Sequence, residues 1–304
     1  VILTGRSTAG ISASRNLTDQ LRTAAAGSPS GNVGLFVACD QEGGMVQVLR
    51  GPGFSDMPSA VEQAQWPTEQ LRASARIWGQ QLTAAGVNVD LGPVLDTVPP
   101  DFVGRNPPID ALHRQYGSTP LAVAQQGTAV AQGLTDAHVI PTVKHFPGLG
   151  RVTRNTDFSA GVIDTSTVRH DPFFAPFGAA LKATDPFVMV SSAIYRNIDA
   201  RQPAAFSPTV IGQLLRGDLG FGGVVISDDL GKSVQVKALT PSQRAVRFFG
   251  AGGDLLLDVF PFQIPQMIDA VTLRAQQDRA FYNTVNAAAL TVLRAKQAAG
   301  LIRR

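Results

Sequence analysis

The sequence predicts an α/β fold, and within that class a TIM-type (β/α)8 barrel lacking its first strand in this chain. Three observations carry this. Short apolar runs alternate with helical segments from end to end. Several of those runs are continuously apolar, as strands buried on both faces of a parallel sheet must be. Polar residues able to do chemistry gather just after the runs, where a barrel keeps its active site.

The runs occupy residues 1–4, 35–39, 87–91, 139–143, 187–191, 224–226 and 255–257. Each is short and rich in Val, Ile, Leu or Phe, which suits strands. The stretch 68–85 places Leu71, Ala75, Trp78 and Leu82 at helical spacing, and 121–134 does the same with Val123, Val130 and Leu134. Helices are also expected over 172–183, 208–215, 241–251, 265–275 and 280–298; the first four of these open on proline, which loses no amide partner in a first turn. Strand–helix alternation gives seven βα units, one short of a closed barrel. A first strand upstream of Val1 would complete the count. An open doubly wound sheet is the rival, but no G-x-G-x-x-G follows any strand. Two long Pro- and Gly-rich loops, 51–67 and 97–113, follow strands and are expected to carry function. The whole of 1–304 reads as one domain.

Composition excludes several classes. At 44% hydrophobic and 16% charged, the 304 residues make no charge-rich disordered chain. The net charge is +3 from 26 basic and 23 acidic residues, and the basic residues are scattered singly, Arg303-Arg304 being the nearest thing to a cluster. Nucleic acid is therefore not an expected partner. No apolar stretch approaches the ~18 residues of a membrane span. A lone Cys39 excludes an internal disulfide, and four histidines leave little for a metal cage, so no cofactor is expected. The oligomeric state is left open, because no helix shows a heptad pattern.

The strand ends carry Asp40-Gln41-Glu42-Gly43-Gly44, Asp96, Lys144-His145, Ser191-Ser192, Asp228-Asp229 and Asp258. Structural readings exist for several: Glu42 as a turn carboxylate, Asp96 as a loop cap, Asp229 as an N-cap or ion-pair partner, Asp258 as loop chemistry. Lys144 is harder to explain structurally, since a lysine after a buried strand is expensive without a partner. Paired carboxylates in a polar cup suit glycoside hydrolysis. No G-x-S-x-G elbow, H-E-x-x-H or P-loop is present.

Lys144-His145-Phe146-Pro147-Gly148-Leu149-Gly150 is similar to the K-H-F-P-G-x-G signature of glycoside hydrolase family 3. Asp40–Gly44 resembles that family's D-Q-E-G-G segment, Gly223–Leu230 its G-V-V-x-S-D-D segment and Arg114–Gly117 its R-S-F-G segment. The branch resembled is that of the single-domain β-N-acetylhexosaminidases. The resemblance implies a barrel and a retaining mechanism with Asp228 as nucleophile. It also implies that Asp40, Arg114, Lys144 and His145 bind the sugar, with Arg114 and Lys144 helping to keep Asp228 ionised. The implied partner is a carbohydrate, peptidoglycan fragments included, in an exported, cell-envelope or cytoplasmic setting.

Where that branch carries an Asp-Ser-His triplet as acid/base, this chain has Asn155-Thr156-Asp157. Other departures are Leu149, Ser192, Met45 and Val48, the last three expected in the pocket wall. In one reading Asp157 takes over as acid/base, its pKa raised by burial or by Asp228. In a second, the chain is a catalytically impaired relative that binds amino-sugar glycans. In a third, the enzyme is a β-glucosidase-type exo-hydrolase. Glu42 or Asp96 would serve as the acid if Asp157 pointed away.

Overall fold

A computed structural model describes residues 1–28 and 33–302; Arg303-Arg304 lie outside them. Five strands, β1 (Ala38–Cys39), β2 (Val89–Asp90), β3 (Ile140–Phe146), β4 (Phe187–Val190) and β5 (Val225–Ser227), are parallel neighbours in chain order. Their register runs Ala38 to Val89, Val89 to Ile140, Val143 to Val188 and Val188 to Val225. Parallel bridges extend the sheet on both sides, from Ile2 to Ala38 and from Ile226 to Leu255. All seven apolar runs thus join one parallel sheet in sequence order.

Strand parity sorts the core. Val37, Cys39, Val188, Val190 and Val225 pack with the helices. Their neighbours Phe36, Ala38, Phe187, Met189, Val224 and Ile226 form a separate cluster, against which Val292 and Ala295 rest. Both faces of the strands are therefore apolar, which is why the runs do not alternate in polarity.

The helices relevant here are α1 (Gly10–Ala26), α2 (Thr68–Ala84), α3 (Pro120–Asp136), α4 (Ala175–Ala183), α5 (Pro241–Gly250), α6 (Ile264–Gln277) and α7 (Arg279–Ala298). In α2 the buried residues include the expected Leu71, Ala75, Trp78 and Leu82. Burying each leucine contributes roughly 1.5–3 kcal/mol. Pro241 occupies a first helical turn as expected, Pro120 does the same one residue before the expected start at 121, and Thr119 and Thr240 cap those helices by accepting main-chain N–H bonds. The expected helix near 208–215 is a π-helix, Thr209–Asp218. Sequence periodicity missed α1 altogether. Its buried positions are Gly10, Ser14 and Thr18, so no apolar stripe announces it, and no side chain caps its start. The 51–67 loop contains a one-turn helix, Ala60–Gln63, closed by a Ser59–Glu62 capping box.

Candidate active site

The carboxyl ends of the strands open into a cavity of ≈ 500 Å³ whose lining includes Asp40, Arg114, Lys144, His145, Asp157 and Asp228. All six residues singled out from the sequence meet there. Asp40 follows β1, Lys144 and His145 end β3, and Asp228 follows β5. Adjacent strand residues normally point to opposite faces. Lys144 and His145 both reach the cavity because the β3–β4 register shifts between Val143 and Phe146.

The sugar-binding candidates are held by a buried ion-pair network. The Lys144 ammonium lies 2.7 Å from Asp40 Oδ1 and 2.7 Å from Glu42 Oε1. Arg114 donates through Nε and Nη2 to the two Glu42 oxygens at 2.8 and 2.7 Å, a bidentate pairing that fixes the guanidinium plane. Its Nη1 donates to the Pro108 carbonyl. Burial alone would raise the Glu42 carboxyl, but Arg114 and Lys144 outweigh it and bring it down to about 2. Burial likewise works against the Lys144 charge, and Asp40 and Glu42 overcome it, holding the ammonium well above its usual value.

Asp96 is fully buried and uses both carboxylate oxygens. Oδ2 pairs with His145 Nδ1 at 2.6 Å, while Oδ1 accepts the main-chain N–H groups of His145 and Leu149. It orients the imidazole and shapes the 145–149 turn. Gly150 completes that turn, because a Cβ there would collide with the Thr97 carbonyl next to Asp96.

Asp228 Oδ1 accepts the Asp229 N–H at 2.8 Å, and the Asp228 N–H donates to the Val190 carbonyl of β4. Asp229 also borders the cavity, but its Oδ1 accepts N–H bonds from Gly231, Lys232 and Val259. It holds a turn, a structural role, but among the described residues it is neither a helix N-cap nor an ion-pair partner. Asp258 likewise serves its loop, accepting the Phe260 N–H.

Asp157 lines the same cavity from the loop after β3. Burial, and next the charge of Asp228, push its carboxyl up to about 6. The Asn155 side chain accepts the Asp157 N–H at 2.8 Å, an Asx turn that aims the residue.

Three expectations are corrected. Glu42 is no simple turn carboxylate, and neither it nor Asp96 can be the acid. Glu42 is locked ionised between two cations, and Asp96 lies outside the cavity lining with both oxygens engaged. The direct partners of Arg114 and Lys144 are Glu42 and Asp40. Met45, Val48 and Ser192 are absent from the cavity wall, where Val46 stands instead. Met45 is half exposed, Val48 packs on the core and Ser192 is buried against Ser233. The positioning roles of Glu42 and Asp96 escaped the sequence reading. A signal existed for Glu42, since two buried cations require a buried anion.

Among the described residues no group of three or more His, Cys, Asp and Glu is arranged to hold a metal ion, and no helix is long and apolar enough to cross a membrane.

A parallel α/β sheet whose strand ends present paired carboxylates and fixed cations to one polar cavity defines a hydrolase built for polyhydroxylated substrates. Residues 1–294 match the glycosyl hydrolase family 3 N terminal domain, and the chain belongs to that family of glycoside hydrolases. It is 32% identical over 266 residues to a beta-hexosaminidase of Xanthomonas oryzae pv. oryzae, an alignment covering 84% of this chain and 76% of that one. It is 33% identical over 252 residues to the beta-hexosaminidase LpqI of Mycobacterium tuberculosis, covering 79% of this chain and 62% of that one. The solved structure of a beta-N-acetylhexosaminidase from Beutenbergia cavernae superposes with a TM-score of 0.96 at 45% identity, covering 98% of this chain and 88% of that one.

Proposed function

We propose that this chain is a retaining hydrolase of β-N-acetylglucosaminides or related β-glycosides, with Asp228 as nucleophile and Asp157 as acid and base. The observation that carries the reading is the pairing of these two carboxyls in one cavity, with Asp157 raised to about 6 and Asp228 among the causes. A carboxyl with its pKa raised in this way is suited to donating a proton. In the first step an Asp228 oxygen attacks the anomeric carbon, the glycosidic C–O bond breaks, and Asp157 gives its proton to the departing oxygen. In the second, Asp157 takes a proton from water. The water oxygen attacks the anomeric carbon, and the bond to Asp228 breaks. Asp40, Arg114, Lys144 and His145 bind the sugar hydroxyls in this reading, held by Glu42 and Asp96.

The relatives named beta-hexosaminidase and beta-N-acetylhexosaminidase support the sugar class. Peptidoglycan fragments are the natural source we favour. Residues 1–304 are read as one barrel domain. The sheet edges near 1–4 and 255–259 border an apolar cavity of ≈ 540 Å³, also lined by Phe36, Phe187 and Ile226. One further parallel strand there would close an eight-stranded ring.

The test is intact mass spectrometry after incubation with fluorosugars bearing an activated leaving group, which departs without acid help. A one-sugar mass increase mapping to Asp228 is expected from the N-acetylglucosamine-type probe. An adduct from the glucose-type probe alone would make the chain a β-glucosidase-type exo-hydrolase. No adduct from either probe on folded protein would sink the retaining mechanism and leave a glycan-binding relative.

A further inference from the structure

The loop that carries Asp157 is tied down at the residue immediately before it. Thr156, which precedes Asp157, is buried, and its carbonyl oxygen accepts two hydrogen bonds from the segment after β5. Ser233 Oγ donates at 3.0 Å and the Gln235 N–H at 3.1 Å. Ser233 is itself buried and lies 3.3 Å, Oγ to Oγ, from the buried Ser192 just after β4. A hydroxyl has one proton. Ser233 spends its proton on Thr156, so Ser192 is the donor in the serine pair. Further along the same loop, the Gln235 amide accepts the Val162 N–H at 2.8 Å and donates to the Val162 carbonyl at 3.1 Å. Loops from three strands therefore meet in one buried polar knot. Ser233 stands five residues after Asp228, so the segment that leaves the nucleophile also clamps the loop of the acid.

We propose that Ser233 is a positioning residue for Asp157, setting the acid against Asp228 by clamping the Thr156 carbonyl. The inference rests on the reading of Asp157 as acid/base and adds how that residue is placed. Removing the Ser233 hydroxyl frees the loop on one side and leaves Asp228 and the sugar-binding network untouched. A misplacement near 1 Å costs up to roughly 10²-fold in rate.

The experiment compares kcat/KM for dinitrophenyl and methyl β-N-acetylglucosaminides, since only the methyl leaving group needs a proton. Ser233→Ala is expected to lower kcat/KM for the methyl glycoside roughly 10–100-fold and to leave the dinitrophenyl value within about twofold. Ser192→Ala, which spares the bond to Thr156, is expected to have a smaller effect of the same kind. Equal losses on both substrates, or no loss on either, would overturn the proposal. Asp157→Ala is measured on the same pair. If it does not discriminate between them, the acid assignment is what fails. If it discriminates and Ser233→Ala does not, the clamp is what fails. Should Ser233→Ala not fold, as judged by circular dichroism, Ser233→Cys, which keeps the size and weakens the hydrogen bond to Thr156, is read against the same criteria.

Discussion

The cavity has two sides built on different principles. On the side proposed to bind the sugar, Asp40, Glu42, Arg114 and Lys144 are joined through direct ion pairs, and Asp96 fixes His145 through its ring and its main-chain N–H. Each of those four ion-paired groups has an opposite charge within hydrogen-bonding distance. On the side proposed for the leaving group, the Asp157 carboxyl has no hydrogen bond or ion pair among the described residues, feels the like charge of Asp228 with Arg114 and His145 offsetting it in part, and is followed by Phe158, which is 73% exposed. One side spends its polar groups on fixed geometry. The other leaves a carboxyl without a direct partner, and burial beside Asp228 lets it keep its proton up to about pH 6. Binding needs the first arrangement and proton transfer needs the second.

The largest effect that would break this contrast is on the sugar side. Glu42→Gln removes the shared anion of Arg114 and Lys144, whose side chains are 13% and 2% exposed. Breaking a buried pair this way costs about 3–5 kcal/mol, read as a fall in the urea midpoint at pH 7. The Glu42 carboxyl is lowered from 4.5 to about 2, so its contribution is complete above pH 4.5 and is lost as pH falls towards 2. The difference between wild type and variant should therefore close over that window. A midpoint unchanged at pH 7 would show that the network does not hold the site together.

Next in size is Asp157→Ala. Loss of a general acid costs roughly 10²–10⁴-fold, expected on a methyl glycoside or a disaccharide and nearly absent in kcat/KM for a dinitrophenyl glycoside. Full activity on the disaccharide would remove Asp157 from the mechanism. The wild-type pH profile sharpens the same point. The acid must be protonated, so kcat/KM on unactivated substrates should fall as pH rises through about 6, while the dinitrophenyl profile stays flat there.

How far the sequence could be read follows the same division. The strands were legible because both faces are apolar, and their order followed from parallel βα connectivity. α1 was not, since Gly10, Ser14 and Thr18 bury a face without hydrophobic signal. At the site, residues named by their motifs met in space as expected, and Asp157 was visible as the residue standing where the resembled branch has histidine. The partners that hold those residues were harder to see. Asp96 and His145 are 49 residues apart, and Glu42 and Arg114 are 72 apart. No local pattern encodes such pairs; charge balance alone hints at them. The expected pocket walls at Met45, Val48 and Ser192 failed for a related reason. Alignment says which residue replaces which, but strand and loop geometry decide which way it faces.

The smallest effect expected is also the most specific to the leaving-group side. A carboxyl whose folded pKa lies above its unfolded value costs stability once it must ionise. For Asp157 the folded value is about 6 against an ordinary 3.8. Below pH 3.8 the group is protonated in both states and has no such cost. Between 3.8 and 6 the cost grows, and above 6 it is constant. Asp157→Asn keeps the shape and removes the charge. It should leave the thermal midpoint unchanged at pH 4 or slightly lower it, and raise it at pH 8, while activity on unactivated glycosides is lost. Glu42→Gln, behind Arg114 and Lys144, moves stability in the other direction at pH 8. Opposite signs from these two carboxyl-to-amide changes would show that stability is lost at the proposed acid and recovered in the ion pairs. If Asp157→Asn instead destabilises at pH 8, the carboxylate has a partner there, and a carboxylate held by a partner would be a poor proton donor at that pH.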